Sequence, residues 1–86
     1  MIYEWDPQKR QENLDKHGVD FAAIDDFELE NAAIFLDRRR DYREPRYVAY
    51  GLIGDRLYCL VFALRGEKIR VISLRKANRR EVKRHG

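Results

Sequence analysis

The stretch RYVAYGLIGDRLYCLVFALRGEKIRVISLR, residues 46–75, decides the architecture. Three runs rich in Val, Ile, Leu, Tyr and Phe, Arg46–Ile53, Arg56–Arg65 and Lys68–Arg75, are separated by Gly54-Asp55 and Gly66-Glu67. Each link is two residues long with glycine first, the preference of a type II′ hairpin turn, so the runs read as an antiparallel meander. Register follows, because residues flanking each link face one another and side chains alternate between faces. One face collects Tyr47, Ala49, Ile53, Tyr58, Leu60, Phe62, Leu64, Ile69 and Val71, the predicted core face. The other collects Val48, Tyr50, Leu52, Leu57, Cys59, Val61, Ile72 and Leu74 at one end, and Glu44, Arg46, Arg65, Lys68 and Arg70 at the other.

Outward from this meander, Ala33–Arg38 reads as a further strand and residues 2–5 as a short one. Asp6-Pro7 opens a helix, the carboxylate capping free amides and proline suiting the first turn. It is predicted to end at His17, with Gly18 left-handed just beyond. Asp20 caps a second helix, whose Phe21, Ile24 and Phe27 form an apolar row at three-residue spacing. Asn78 and Glu81 stand at capping-box spacing at the head of a short, mostly cationic final helix. The expected fold is therefore α+β: an antiparallel sheet of about four strands, two N-terminal helices on one face and a short C-terminal helix. No linker or repeat interrupts it, so residues 1–86 read as one domain.

The second face is too apolar for a sheet side open to water, and only the C-terminal helix is left to cover it. A polypeptide partner is expected there. Cys59 is the only cysteine and the two histidines lie at opposite ends of the chain. These exclude an internal disulfide, offer no zinc-ligand spacing, and point to a reducing cytoplasm with no metal or other cofactor. Neither a leader segment nor a membrane span is indicated.

The formal net charge of +3 conceals an asymmetry: residues 65–86 carry nine Lys/Arg against two Asp/Glu, residues 1–64 nine against thirteen. A concentrated basic surface on a small domain is the footprint of a nucleic-acid binder. In the predicted register Arg46 and Arg70 flank the small Ala63, and Arg65 lies beside Glu44 and Lys68. Guanidinium forks converging on such a floor match phosphate geometry. Metal-free phosphodiester cleavage also needs proton carriers within hydrogen-bond reach, for which His17, at a helix C-terminus beside Lys16, and Glu44, beside Arg65, are candidates. His85, next to last in the sequence, reaches the sheet only if the final helix docks. Arg79 and Arg80 on that helix are candidate RNA contacts with Lys16, Arg46 and Lys68.

Glu4-Trp5-Asp6-Pro7, Lys16-His17-Gly18-Val19, Arg65-Gly66, Ile69-Arg70-Val71-Ile72-Ser73, Arg75 and Arg79-Arg80-Glu81 stand in order along the chain. In this pattern, which spans nearly everything except Asp26–Arg43, the sequence resembles the BrnT toxin family. The resemblance implies a RelE-like fold, RNA cleavage that halts translation, and neutralisation by a separate BrnA-like antitoxin. That antitoxin forms a hetero-oligomer with the toxin and carries it to operator DNA. The leading reading is a metal-independent endoribonuclease in which the 2′-hydroxyl attacks, Arg65, Arg70 and Arg75 bear on phosphate, and His17 or Glu44 handles protons. A non-catalytic nucleic-acid-binding module and a repressor-complex scaffold are the alternatives.

Overall fold

The computed structural model describes residues 2–86. Five strands, β1 (Ile2–Glu4), β2 (Ala33–Leu36), β3 (Arg46–Ile53), β4 (Arg56–Arg65) and β5 (Lys68–Lys76), form one sheet in the order β1-β5-β4-β3-β2. The expected four-stranded antiparallel sheet gains a fifth strand, because β1 pairs parallel to β5. Both hairpins have the expected register at their turns, with Ile53 opposite Arg56 and Arg65 opposite Lys68. Gly54 and Gly66 have φ of +64° and +62°, while among the described residues none other than glycine has positive φ, as a type II′ turn requires.

Helix α1 (Pro7–His17) starts where Asp6 accepts from the Gln8 amide at 2.8 Å and stops at Gly18 with φ +70°. The second predicted helix is instead a 3₁₀ segment, Phe21–Asp26, capped by Asp20. Its three-residue apolar spacing fits three residues per turn, which stacks Phe21, Ile24 and Phe27 in line over the sheet. Together with Val19 they bury Ala49, Leu60, Phe62, Ile69, Val71 and Leu74. Trp5 meets the edge of this cluster with its ring 6.0 Å from that of Phe21.

The polar helix α1 has only one buried side chain, Asn13. Where β1 ends at Glu4, the edge of β5 is left open, and the Asn13 amide fills the gap. Its nitrogen donates to the carbonyls of Leu74 at 2.7 Å and Val19 at 2.9 Å, and its oxygen accepts from the Leu74 N–H at 3.2 Å. A side-chain amide thus continues the ladder that a backbone strand would have supplied, satisfying groups that are costly to bury unpaired.

One irregularity changes which residues share a face. Phe62 pairs with Val71 but Val61 pairs with Ser73, so Ile72 is an extra residue, a β-bulge in β5. Beyond it the alternation reverses from that expected: Leu74 turns into the core opposite Leu60, and Arg75 turns to the second face opposite Cys59. Leu64, expected in the core, is half exposed near the hairpin end. β2 stops at Leu36 rather than Arg38, because the Asp37 carboxylate turns the chain by accepting from the Arg39 amide at 3.1 Å.

Candidate functional site

On the second face the C-terminal helix α2 (Arg79–His85) docks over one end of the sheet, with its capping box formed as the sequence spacing requires. It leaves a cleft of about 960 Å³. The floor is Val48, Tyr50, Val61, Ile72 and Ser73, and the bulge supplies both of the last two. Three walls surround it: the last turn of α1 with Lys16 and His17, the segment after β2 with Asp37, Arg38 and Arg39, and α2 with Glu81, Arg84 and His85. Arg46 and Arg75 reach in from the sheet.

Two carboxylates inside this basic cleft are fully engaged. Arg75 grips Glu81 with two parallel bonds of 2.7 and 2.8 Å, while the Asn78 amide donates at 2.9 Å and the Tyr50 hydroxyl at 3.1 Å. The Arg75 hydrogen bonds, ahead of the other donors, hold the Glu81 carboxyl at about 2, so it is a fixed anion rather than a proton acceptor at neutral pH. Asp37, whose side chain is 1% exposed, takes 2.9 and 2.8 Å bonds from Arg39 and a 3.2 Å bond from the Tyr42 hydroxyl. Arg39 chiefly holds that carboxyl at about 2 also. The Tyr42 ring in turn lies under the Arg46 guanidinium at 4.2 Å, and the Arg46 Nε is buried without a hydrogen-bond partner among the described residues.

His17 stands in the cleft wall at the end of α1. Partial burial, then the neighbouring charges of Lys16 and Arg75, lower its pKa below the ordinary 6.5. It is therefore mostly neutral at pH 7 and able to accept a proton. Burial pushes the Tyr50 hydroxyl up to about 12 and raises the Cys59 thiol, so both stay protonated under the floor. His85 stacks on Tyr50 with ring centroids 4.1 Å apart and planes 12° from parallel, and lies 5.3 Å from the Phe35 ring.

Of the residues singled out from sequence, His17, Lys16, Arg46 and Arg75 come together in the cleft. Glu44, Arg65, Arg70 and Lys68 lie on the same sheet face but outside that cleft, in a ladder toward the hairpin end. There Arg65 donates to Glu44 at 2.9 and 2.7 Å, and Arg70 to Glu4 at 3.4 Å. Arg65 lowers the Glu44 pKa further, so Glu44 is ionised at neutral pH and paired. Arg79 and Arg80 are exposed on α2. Sequence reasoning gave no cleft role to Asp37, Arg39 or Tyr50. A hydrophobic strand ending in aspartate followed by arginines was the available signal for the first two.

A profile of the family described as "Ribonuclease toxin, BrnT, of type II toxin-antitoxin system" matches residues 5–81. Among solved structures the chain is similar to the crystal structure of the Brucella abortus ribonuclease toxin BrnT. The two are 31% identical with a TM-score of 0.71, over 92% of this chain and 100% of that one. No curated protein matches.

Proposed function

The chain belongs to the BrnT family of ribonuclease toxins of type II toxin–antitoxin systems, and from that premise we propose that RNA is cleaved in the cleft under α2, without a metal ion. The observation that carries this reading is the bulge in β5, which turns Arg75 onto the same face as the neutral imidazole of His17. In the proposed reaction the 2′-oxygen attacks the adjacent phosphorus, and the 2′-O–P bond forms as the P–5′-O bond breaks. His17 takes the 2′-hydroxyl proton, a water protonates the leaving 5′-oxygen, and the hydroxide so formed takes the proton back from His17. Products are a 2′,3′-cyclic phosphate and a 5′-hydroxyl end.

Arg75, aided by Lys16 and Arg46, opposes the charge that grows on the phosphoryl oxygens in the transition state. Glu81 is a positioning residue, since its two bonds fix the plane of the Arg75 guanidinium. Arg65, Arg70 and Lys68 guide the RNA backbone away from the cleft along the ladder, with Glu44 fixing the Arg65 guanidinium, and Arg79 and Arg80 extend the basic track on α2.

An antitoxin is this toxin's partner. We assign that role to a BrnA-like protein that forms a hetero-oligomer with the toxin and brings it to operator DNA, with cleavage halting translation in the cytoplasm. No helix among the described residues is long and apolar enough to cross a membrane.

The test is to incubate the antitoxin-free chain with end-labelled RNA in EDTA, beside His17→Ala and Arg75→Ala variants verified to be folded. Wild type is expected to leave cyclic-phosphate ends, and each variant to cut at least about a hundredfold more slowly, the usual range for a lost base or charge stabiliser. Binding without cutting by the wild type would mean a module that only holds RNA.

A further inference from the structure

The sheet ends differently on its two sides. At the β5 side β1 and the Asn13 amide close the ladder. At the other side β2 pairs only with β3 among the described residues. The Asp37 N–H donates to the Arg46 carbonyl at 2.7 Å. Antiparallel pairs alternate between bonded and non-bonded positions, so Ala33 and Phe35 face β3 with their polar groups, while Ile34 and Leu36 point theirs outward. Four residues give about 13 Å of open edge.

Natural edge strands are ordinarily blunted by lysine, proline, a bulge or a cover. β2, with the sequence AIFL, carries no lysine, proline or bulge, and Ile34, Phe35 and Leu36 are each nearly half exposed. An edge with open amides and apolar side chains on both faces is the receiving half of strand addition. Directly after it come the exposed Arg38, Arg39, Arg40 and Arg43, with Asp41 the single acid in that exposed stretch. Phe35, Leu36, Arg38 and Arg39 also line the cleft, so whatever pairs with β2 lies along the cleft mouth.

We infer that the free edge of β2 receives an extended segment of the antitoxin as a sixth strand, whose following acidic side chains set against the Arg38–Arg43 run close the cleft. The added strand buries Ile34 and Leu36 on one side and Phe35 on the other, and its carbonyls accept from the Ile34 and Leu36 amides. Neutralisation then follows from position: the segment covers the arginines at the mouth and excludes RNA. The occupant is the antitoxin because this family's toxins have one, because its neutralising role requires it to reach the cleft, and because the flanking charge selects an acidic chain. This rests on family membership and on the cleft as the RNA site.

Ile34→Pro tests it. The substitution removes an N–H that points away from β3 and suits an extended edge position, so the fold and RNA cleavage are expected to be unchanged. Binding of a purified antitoxin that neutralises the wild type is measured by titration, with RNA cleavage assayed in the same samples. The expected result is affinity weakened roughly thirtyfold or more, as main-chain pairing is lost. In the wild-type complex the Ile34 and Leu36 amides are expected to become protected from hydrogen exchange. Affinity within threefold of wild type, with those amides unprotected, overturns the inference while leaving the cleavage reading intact. Self-association of the antitoxin-free chain that Ile34→Pro abolishes also overturns it, by giving the edge to a second copy.

Discussion

His17 owes its candidacy to three local facts: the end of a helix, partial burial, and cationic neighbours. The helix end and the Lys16 charge were legible in Lys16-His17-Gly18, but the burial comes from the folded cleft and the second charge from Arg75, which the predicted alternation put on the wrong face. As a base His17 must be neutral, so kcat/KM is expected to rise with pH through a pKa below 6.5 and then level off. Lys16→Gln removes a charge that disfavours the imidazolium, so it should move this rise toward higher pH, read from the pH profile of RNA cleavage. A profile unmoved in Lys16→Gln and unaltered in His17→Ala would remove His17 from the chemistry. His85 was expected to reach the sheet only if the final helix docks, and its aromatic stack with Tyr50 is the form that docking takes.

Glu81 titrates from 4.5 in an unfolded chain to about 2 in the folded one, chiefly because Arg75 is bonded to it. A lowered carboxylate pKa means stability that is complete above the unfolded value and is lost as pH falls toward the folded one. Glu81→Gln is therefore expected to lower stability at pH 7 by roughly 1.5–3 kcal/mol, the scale for a hydrogen bond to a charged group. It should also flatten the decline in stability between pH 5 and 2. Urea unfolding followed at several pH values checks both.

Among the elements, β3 and β4 were readable to the residue because glycine-first turns dictate pairing and the chain between them has no irregularity. β5 was readable only as far as Val71. A bulge at Ile72 uses no glycine and breaks no hydrophobic run, so nothing in Val71-Ile72-Ser73 marks it, and the faces of Leu74 and Arg75 were reversed. The parallel pairing of β1 was hidden for a related reason: three residues carry too little pattern to select a partner strand.

The join of α1 to β5 makes its own prediction. Asn13→Ala leaves the Leu74 amide and carbonyl buried without partners, and is expected to cost about 2–4 kcal/mol, from more than one lost hydrogen bond to buried backbone. For a domain this size that lowers Tm by roughly 10–25 °C in a thermal melt. Across the sheet, a methyl group on Gly51 would stand 2.7 Å from the Phe27 ring. Gly51→Ala should accordingly destabilise by about 1–3 kcal/mol through overpacking, measured the same way.

At the scale of the whole molecule the basic C-terminal quarter was legible as charge but not as geometry. Part of it is paired with neighbouring acids, Arg65 with Glu44, Arg70 with Glu4 and Arg75 with Glu81, and the cleft joins Arg75 and Arg84 from that quarter to Lys16, Arg38, Arg39 and Arg46 from the rest of the chain. If Lys16, Arg46 and Arg75 alone displace counterions from single-stranded RNA, log affinity falls against log salt with a slope of about −2, and the ladder and α2 cations proposed to follow the backbone are expected to steepen it. Filter binding to uncleavable RNA across a salt series measures it, and a slope twice as steep would enlist the ladder arginines too.

The bulge makes chain length, more than residue identity, the quantity under constraint between Gly66 and Arg75. Removing the codon for Ile72 would take out the extra residue and restore strict alternation with Ser73, Leu74 and Arg75 still opposite Val61, Leu60 and Cys59, whereas a codon inserted after Ser73 would send Arg75 inward and eject Leu74. In a library of single-codon insertions this segment should be intolerant even at positions that accept many substitutions, while loss of the Ile72 codon should be borne comparatively well. The exposed stretch around Arg40, which sets no pairing, should change length with far less harm.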